Sequence, residues 1–254
     1  MRYALIGDIH ANLPALEAVL ADIERRGGID AIYHLGDLVG YAPWPNEVVA
    51  LLRERGIAGV AGNYDSTTAT GHPHCACRYE DPRQEALAHE SYEWTRAHVA
   101  EGTRRALAAL PFRIDLRPAG GHVGSGPRLI LVHGSPTLNT LYWDEDRSDA
   151  FCAKMARVAG AGEGDVLAFG HTHRPWQREV DGVHFVNVGS AGRPKDGDPR
   201  ACYAALDLGS DRGPAVEFVR VEYDVARAAA AIRASGLPDE LADFLEAGGR
   251  PAST

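Results

Sequence analysis

Residues 3–10 read Tyr3-Ala4-Leu5-Ile6-Gly7-Asp8-Ile9-His10. The apolar run closed by glycine predicts a short buried strand, and two metal-ligating side-chain types follow it at once. Asn12 suits a helix cap. Leu13, Leu16, Val19, Leu20 and Ile23 then recur at helical spacing until Gly27-Gly28. Ala31 to Leu35 reads as a second strand, Pro45 opens a second helix that ends at Gly56, and Ile57 to Ala61 reads as a third strand. Strand, helix, strand, helix, strand implies a parallel sheet with crossover helices, and hence an α/β fold.

Further along the chain the pattern is less regular. Residues 64–82 are rich in Thr, His, Pro, Asp and Cys and read as an extended loop. Arg83 to Val99, Arg104 to Leu110 and residues 147–159 read as helices. Leu129 to Val132 and Val166 to Phe169 read as strands. From Trp176 to Val221, short runs between Gly, Asp and Pro turns predict antiparallel strands. Val225 to Ala247 reads as two Ala-rich helices broken at Gly236-Leu237-Pro238, free either to cover an interface or to dock on their own domain. The organisation expected is one domain over 1–254 with a helical C-terminal extension about 225–254.

The chain has 254 residues, 45% of them apolar, and a net charge of −9. That length supports one sizeable core. The acidity argues against a nucleic-acid-binding surface, and any phosphate chemistry would need local positive charge, which bound metal ions supply. No long apolar run predicts a membrane span, the first residues do not read as a signal peptide, and Cys75, Cys77, Cys152 and Cys202 do not form a disulfide pattern. A reduced, cytoplasmic protein is expected.

Five segments place an oxygen or nitrogen ligand just past a predicted strand: Gly7-Asp8-Ile9-His10, Gly36-Asp37, Gly62-Asn63-Tyr64-Asp65, His133-Gly134 and Gly170-His171-Thr172-His173. Ligands collect at the carboxyl ends of strands in open α/β sheets. The mixed set of imidazoles, carboxylates and an amide suits Mn, Fe, Zn or Co better than Ca or Mg, and seven ligands fit two ions sharing a carboxylate.

In order and spacing these segments resemble the motifs of the calcineurin-like metallophosphoesterase family. The resemblance runs from Asp8 to His173. Asn187 to Gly192 and Arg193 to Arg200 also resemble a bacterial phosphodiesterase- or phosphatase-like subgroup. It implies a sandwich of two mixed β-sheets flanked by helices. It implies two divalent or trivalent metal ions, Mn foremost, with Fe, Zn, Co or Ni as alternatives. Asp8, His10 and His173 would hold one ion and Asn63, His133 and His171 the other. Asp37 would bridge both together with a hydroxide that attacks phosphorus.

The family usually carries His where this chain has Tyr64, followed here by Asp65. A phenol is a weak acid at neutral pH, so leaving-group protonation is expected to matter less here, unless Tyr64 simply packs or contacts substrate. Asp37, Asn63, Tyr64, Asp65 and His133 are the catalytic candidates. His72 and His74, in the segment His72-Pro73-His74-Cys75-Ala76-Cys77, are candidates for a substitute acid or substrate contact. Cys-x-Cys is not the common zinc spacing. Arg193, Lys195 and Arg200 are phosphate candidates, with Asp196 and Asp198 as alternative partners for them. Tyr41, Trp44, Tyr142 and Trp143 offer rings to a base or aromatic leaving group, or pack the rim. The expected partner is a small phosphorylated or nucleotide-like substrate, with a homo-oligomer left open. The competing functions are a non-catalytic metal-binding scaffold and a nuclease.

Overall fold

The computed structural model describes residues 1–77, 81–117, 126–209 and 213–249. Residues 78–80 of the expected loop and 250–254 of the C-terminal extension lie outside the described residues. Two five-stranded mixed sheets face each other. The first contains β1 (Arg2–Ile6), β2 (Ala31–His34), β3 (Ala58–Gly59), β9 (Ala201–Asp207) and β10 (Ala215–Val221), in the order β10-β9-β1-β2-β3. The second contains β4 (Ile114–Leu116), β5 (Leu129–Leu131), β6 (Val166–Phe169), β7 (Pro175–Val180) and β8 (Val183–Val188), in the order β4-β5-β6-β8-β7.

Strand alternation builds three apolar layers. Tyr3 and Leu5 of β1, Leu129 and Leu131 of β5, and Val166 and Ala168 of β6 meet between the sheets. Ala4 and Ile6 point the other way, into a layer under α1 (Leu13–Arg26) and α2 (Pro45–Glu54). Ile130, Leu167 and Phe169 face outward on the second sheet, against α6 (Asp149–Ala159). Each buried Leu, Ile or Val contributes about 1.5–3 kcal/mol on leaving water, so a register slip of one residue in β1 would be strongly unfavourable.

β1, β2 and β3 run parallel in one sheet, and β5 and β6 run parallel in the other. Their carboxyl ends carry the five ligand-bearing segments. Two expectations need correction. The stretch 64–82 is not an extended loop throughout: α3 (Asn63–Thr70) begins it. Its helix shows no apolar stripe because Ser66, Thr67 and Thr70 bond back to carbonyls of the preceding turn, and Asp65 caps its start. The region from Trp176 to Val221 is only partly antiparallel. β7–β8, β9–β10 and β9–β1 pair that way, β9 having crossed to the other sheet, but β8 lies parallel to β6.

Four more helices complete the described chain: α4 (Pro82–His98), α5 (Glu101–Ala108), α7 (Val225–Ala234) and α8 (Asp239–Glu246). The two C-terminal helices dock on their own chain. Ala228, Ala229, Ile232, Leu241, Ala242 and Leu245 are buried in the layer that covers α1, and the Trp94 indole N–H donates to the Ser235 carbonyl at 3.0 Å. No helix among the described residues is long and apolar enough to cross a membrane.

Candidate metal centre

The strand ends converge. Asp8, His10, Asp37, Asn63, His133, His171 and His173 are each 4% exposed or less. Asp8, His10, Asp37, His171 and His173 also adopt left-handed backbone, with φ of 52°, 48°, 51°, 67° and 62°. A residue with a Cβ pays about 1–3 kcal/mol for that conformation, and such strain gathers at functional sites. Here it turns the chain sharply at each strand end so that the side chains face one point.

Two triads result. Ligand atoms of Asp8, His10 and His173 lie within 4.8 Å of one another, as do those of Asp37, His133 and His171. His10 and His173 bring their Nε2 atoms to 3.1 Å. The Nδ1–H of His10 faces the Val39 carbonyl at 3.1 Å, and that of His173 faces the Arg193 carbonyl at 2.5 Å. Those bonds fix the tautomer, so two Nε2 lone pairs meet. The second triad gathers around His133. His133 uses Nδ1 on the Leu35 carbonyl at 2.8 Å, and its Nε2 lies 3.2 Å from His171 Nδ1 and 3.1 Å from Asn63 Oδ1. Asp37 stands between: its Oδ2 is 3.7 Å from His10 Nε2 and 3.5 Å from His133 Nε2, while Oδ1 accepts the Tyr64 N–H at 2.9 Å.

The electrostatics fit a site for cations. Burial pushes His10, His171 and His173 well below the ordinary imidazole range, helped by neighbouring positive groups, so they are neutral, the ligating form. Burial raises Asp8 to about 6, and its Oδ1 has no hydrogen-bond partner. Burial opposes charge on Asp37 and His133, but each favours the other: Asp37 falls below its usual range and His133 rises to about 10. An orphaned buried carboxylate oxygen and facing lone pairs are what a divalent cation satisfies.

The other candidates divide. Asp65 is not beside the triads in function: its two oxygens accept the Leu38 and Gly62 N–H groups, both at 2.9 Å, so it pins the β2 loop to α3. Tyr64 is 1% exposed, its ring lies edge-on to His10 at 5.5 Å, and its hydroxyl is 3.4 Å from the Ala88 carbonyl in α4. This is the packing alternative. Tyr64→Phe is therefore expected to change turnover of good- and poor-leaving-group esters equally, by less than about threefold; a selective loss on the poor leaving group would restore a proton-transfer role.

His72 and His74 are exposed, and the His72 Nδ1 bonds to the His74 backbone, so the structure does not bring them to the triads. The same segment nevertheless reaches the site by another route. Asn63 Nδ2 donates to the Cys75 carbonyl at 2.9 Å and to Cys77 Sγ at 3.2 Å, which aims Oδ1 at the second triad. Arg200 pairs with Asp198 at 2.7 Å, outside the site. Trp143 is wholly buried and stacked on Phe169 at 4.4 Å, a core residue. Tyr142 differs: its ring is 4.5 Å from His171 and lines a cleft of about 560 Å³ with Thr140, Asp144, Arg147, Thr172, Arg174 and Lys195.

Asn187 and Ser190, for which the sequence offered no role, brace the ligand-bearing turns. Asn187 Nδ2 donates to the Gly170 carbonyl at 2.9 Å and the Thr172 hydroxyl at 3.0 Å, holding the His171–His173 turn. Ser190 donates to the Asp8 carbonyl at 2.7 Å. Asn187 at the end of the apolar run of β8 and Ser190 just past it were the available signal.

Paired mixed-ligand triads at the parallel strand ends of a two-sheet sandwich define a metallophosphoesterase-like protein. A profile of the calcineurin-like phosphoesterase superfamily domain matches residues 1–211, and the chain belongs to that superfamily. It is 30% identical over 266 residues to an uncharacterized protein of Methanocaldococcus jannaschii, covering 95% of this chain and 96% of that one. It resembles the crystal structure of a metallophosphoesterase from Sphaerobacter thermophilus at 32% identity and a TM-score of 0.73, covering 98% and 100% of the two chains. A hypothetical protein from Pyrococcus horikoshii shares the fold at 24% identity and a TM-score of 0.78, with 99% of each chain covered.

Proposed function

We propose that this protein hydrolyses small phosphate esters at a two-metal centre. The observation that carries the reading is Asp37 Oδ2, within 3.7 Å of an imidazole from each triad. Asp8, His10 and His173 are the proposed ligands of one ion, Asn63, His133 and His171 of the other, and Asp37 serves both. Bound divalent ions at such a pair supply a nucleophile from water and positive charge for the phosphoryl oxygens. The mixed N/O donors suit Mn, Fe, Zn or Co.

The protein's own residues prepare that chemistry. Carbonyls of Leu35, Val39 and Arg193 orient three imidazoles through their Nδ1 atoms. Burial keeps the seven ligand side chains largely out of water. The cleft offers the Tyr142 ring to a planar group and the cations Arg147, Arg174 and Lys195 to an anionic one, with Asp144 as an acceptor for a hydroxyl. A small nucleotide-like or aromatic ester matches that lining better than a nucleic acid does, given the net charge of −9. Both triads are complete, which weighs against a scaffold without activity. We read residues 1–249 as one working unit and the reduced cytoplasm as its place, the four free thiols supporting the latter.

The test is hydrolysis of bis-nitrophenyl phosphate beside nitrophenyl phosphate by metal-stripped protein, with and without Mn²⁺. Mn-dependent turnover of either is expected, and their ratio assigns diester or monoester preference. No turnover with Mn, Fe, Co, Ni or Zn, despite metal binding, would favour the scaffold.

A further inference from the structure

The loop after β8 carries a buried cation whose charge nothing in the described protein balances. Arg193 is 4% exposed. Its guanidinium carbon lies 3.9 Å from the Tyr41 ring centroid on one side and 4.1 Å from the Phe244 ring centroid, in α8, on the other. The acids of the same loop are engaged elsewhere: Asp196 by Arg220 and Asp198 by Arg200. Among the described residues no carboxylate lies within ion-pair distance of Arg193 or of Lys195, two positions on. An unpaired buried cation is unfavourable. Two aromatic faces attract the cation and fix the guanidinium plane without neutralising it. Such a box holds an arginine ready for an anion.

The loop is also registered to the first triad. The Arg193 carbonyl accepts from His173 Nδ1 at 2.5 Å, and its N–H donates at 2.8 Å to the Ser190 hydroxyl, which itself donates to the Asp8 carbonyl. Tyr41, on the far side of the stack, lies edge-on to His10 at 4.9 Å. The end of the C-terminal segment lies backbone to backbone on this loop. The Gly197 N–H donates to the Gly248 carbonyl at 2.8 Å. A Cβ on Gly248 would come within 2.6 Å of Asp198 N, and one on Gly249 within 2.4 Å of the Pro194 carbonyl oxygen. The superfamily profile ends at residue 211, so α8 lies outside it.

We propose that Arg193 and Lys195 form an anion subsite for the phosphate oxygens of the substrate, with Phe244 as the positioning residue that holds Arg193 in place. The C-terminal helices are then part of the substrate site. This rests on the phosphoesterase reading for the identity of the substrate, but the subsite itself is testable without turnover. Arg grips two phosphate oxygens in its plane, and Lys adds a point charge.

The experiment measures inorganic phosphate binding to the Mn-loaded full chain by calorimetry, beside kcat and KM for bis-nitrophenyl phosphate. Phe244→Ala is expected to weaken phosphate binding and raise KM by about tenfold, with KM rising more than kcat falls. Phe244→Tyr, which keeps the stacked ring, is expected to restore both. Lys195→Met should shift phosphate binding in the same direction, and it decides the matter if Phe244→Ala does not fold. Unchanged phosphate affinity in Phe244→Ala and Lys195→Met, or no phosphate binding by the wild type, would overturn the subsite. Wild-type phosphate binding that the variants weaken, without any ester turnover, would keep the subsite and remove the hydrolase reading alone.

Discussion

Asp37→Asn is expected to lower Mn-dependent hydrolysis of bis-nitrophenyl phosphate by about 10²- to 10⁴-fold, the equivalent of about 3–5 kcal/mol for removing one charge from a buried, mutually compensated set. The substitution preserves shape, and the amide oxygen can still accept the Tyr64 N–H that Asp37 Oδ1 accepts at 2.9 Å. The fold should therefore persist, with the metal-free variant unfolding within a few degrees of the wild type. What disappears is the negative charge between His10 and His133. A second signature follows in the metal-free protein. The Asp37 carboxylate beside it holds His133 up at about 10 against burial. In the variant, His133 should titrate at lower pH, and NMR of the imidazole would show it. Hydrolysis retained within tenfold would remove Asp37 from its proposed place between the ions.

Gly62→Ala is expected to be strongly damaging to the centre. A Cβ there would lie 2.1 Å from Asp37 Oδ1, 2.2 Å from Asp37 N and 2.8 Å from Asp37 Cα. Two of those atoms are backbone, so no side-chain rotation relieves the contact. Moving the β2 end by the required distance also disturbs the Asp65 bond to the Gly62 N–H and the start of α3. Overpacking of this kind costs about 1–3 kcal/mol where neighbours yield, and more where backbone must move. Urea unfolding is expected to show a loss of about 3 kcal/mol or more, and Mn binding should weaken with it. A variant of unchanged stability and Mn affinity would show that the two strand ends are not held as tightly as these distances imply.

The proposed ligand set was legible in the sequence because its members follow apolar runs closely. Asp8, Asp37, Asn63, His133 and the His171–His173 pair stand at strand ends where periodicity breaks, so chain order alone brought them to one edge of two sheets. Helix α3 was not legible. Its Ser and Thr hydroxyls satisfy backbone carbonyls locally, which replaces the apolar stripe that would have announced it. The exchange of sheets between β8 and β9 was hidden for another reason. Both strands are buried on both faces, and an apolar run does not say which neighbour it pairs with. The C-terminal helices were visible as helices, but the meeting of Phe244 with Arg193 is a tertiary event between distant residues, with no spacing to reveal it. Adjacency in sequence did not separate Asp65, whose buried carboxyl interacts with Asp37 and binds the Leu38 and Gly62 N–H groups, from His72, whose exposed ring bonds to the His74 backbone.

The most direct measurement is turnover of bis-nitrophenyl phosphate while Mn²⁺ is titrated into metal-stripped protein of known concentration. Two triads joined by Asp37 predict that activity rises to its plateau at two equivalents of metal per chain, with little below one. Full activity at one equivalent, or activity indifferent to added metal, would contradict a two-metal centre.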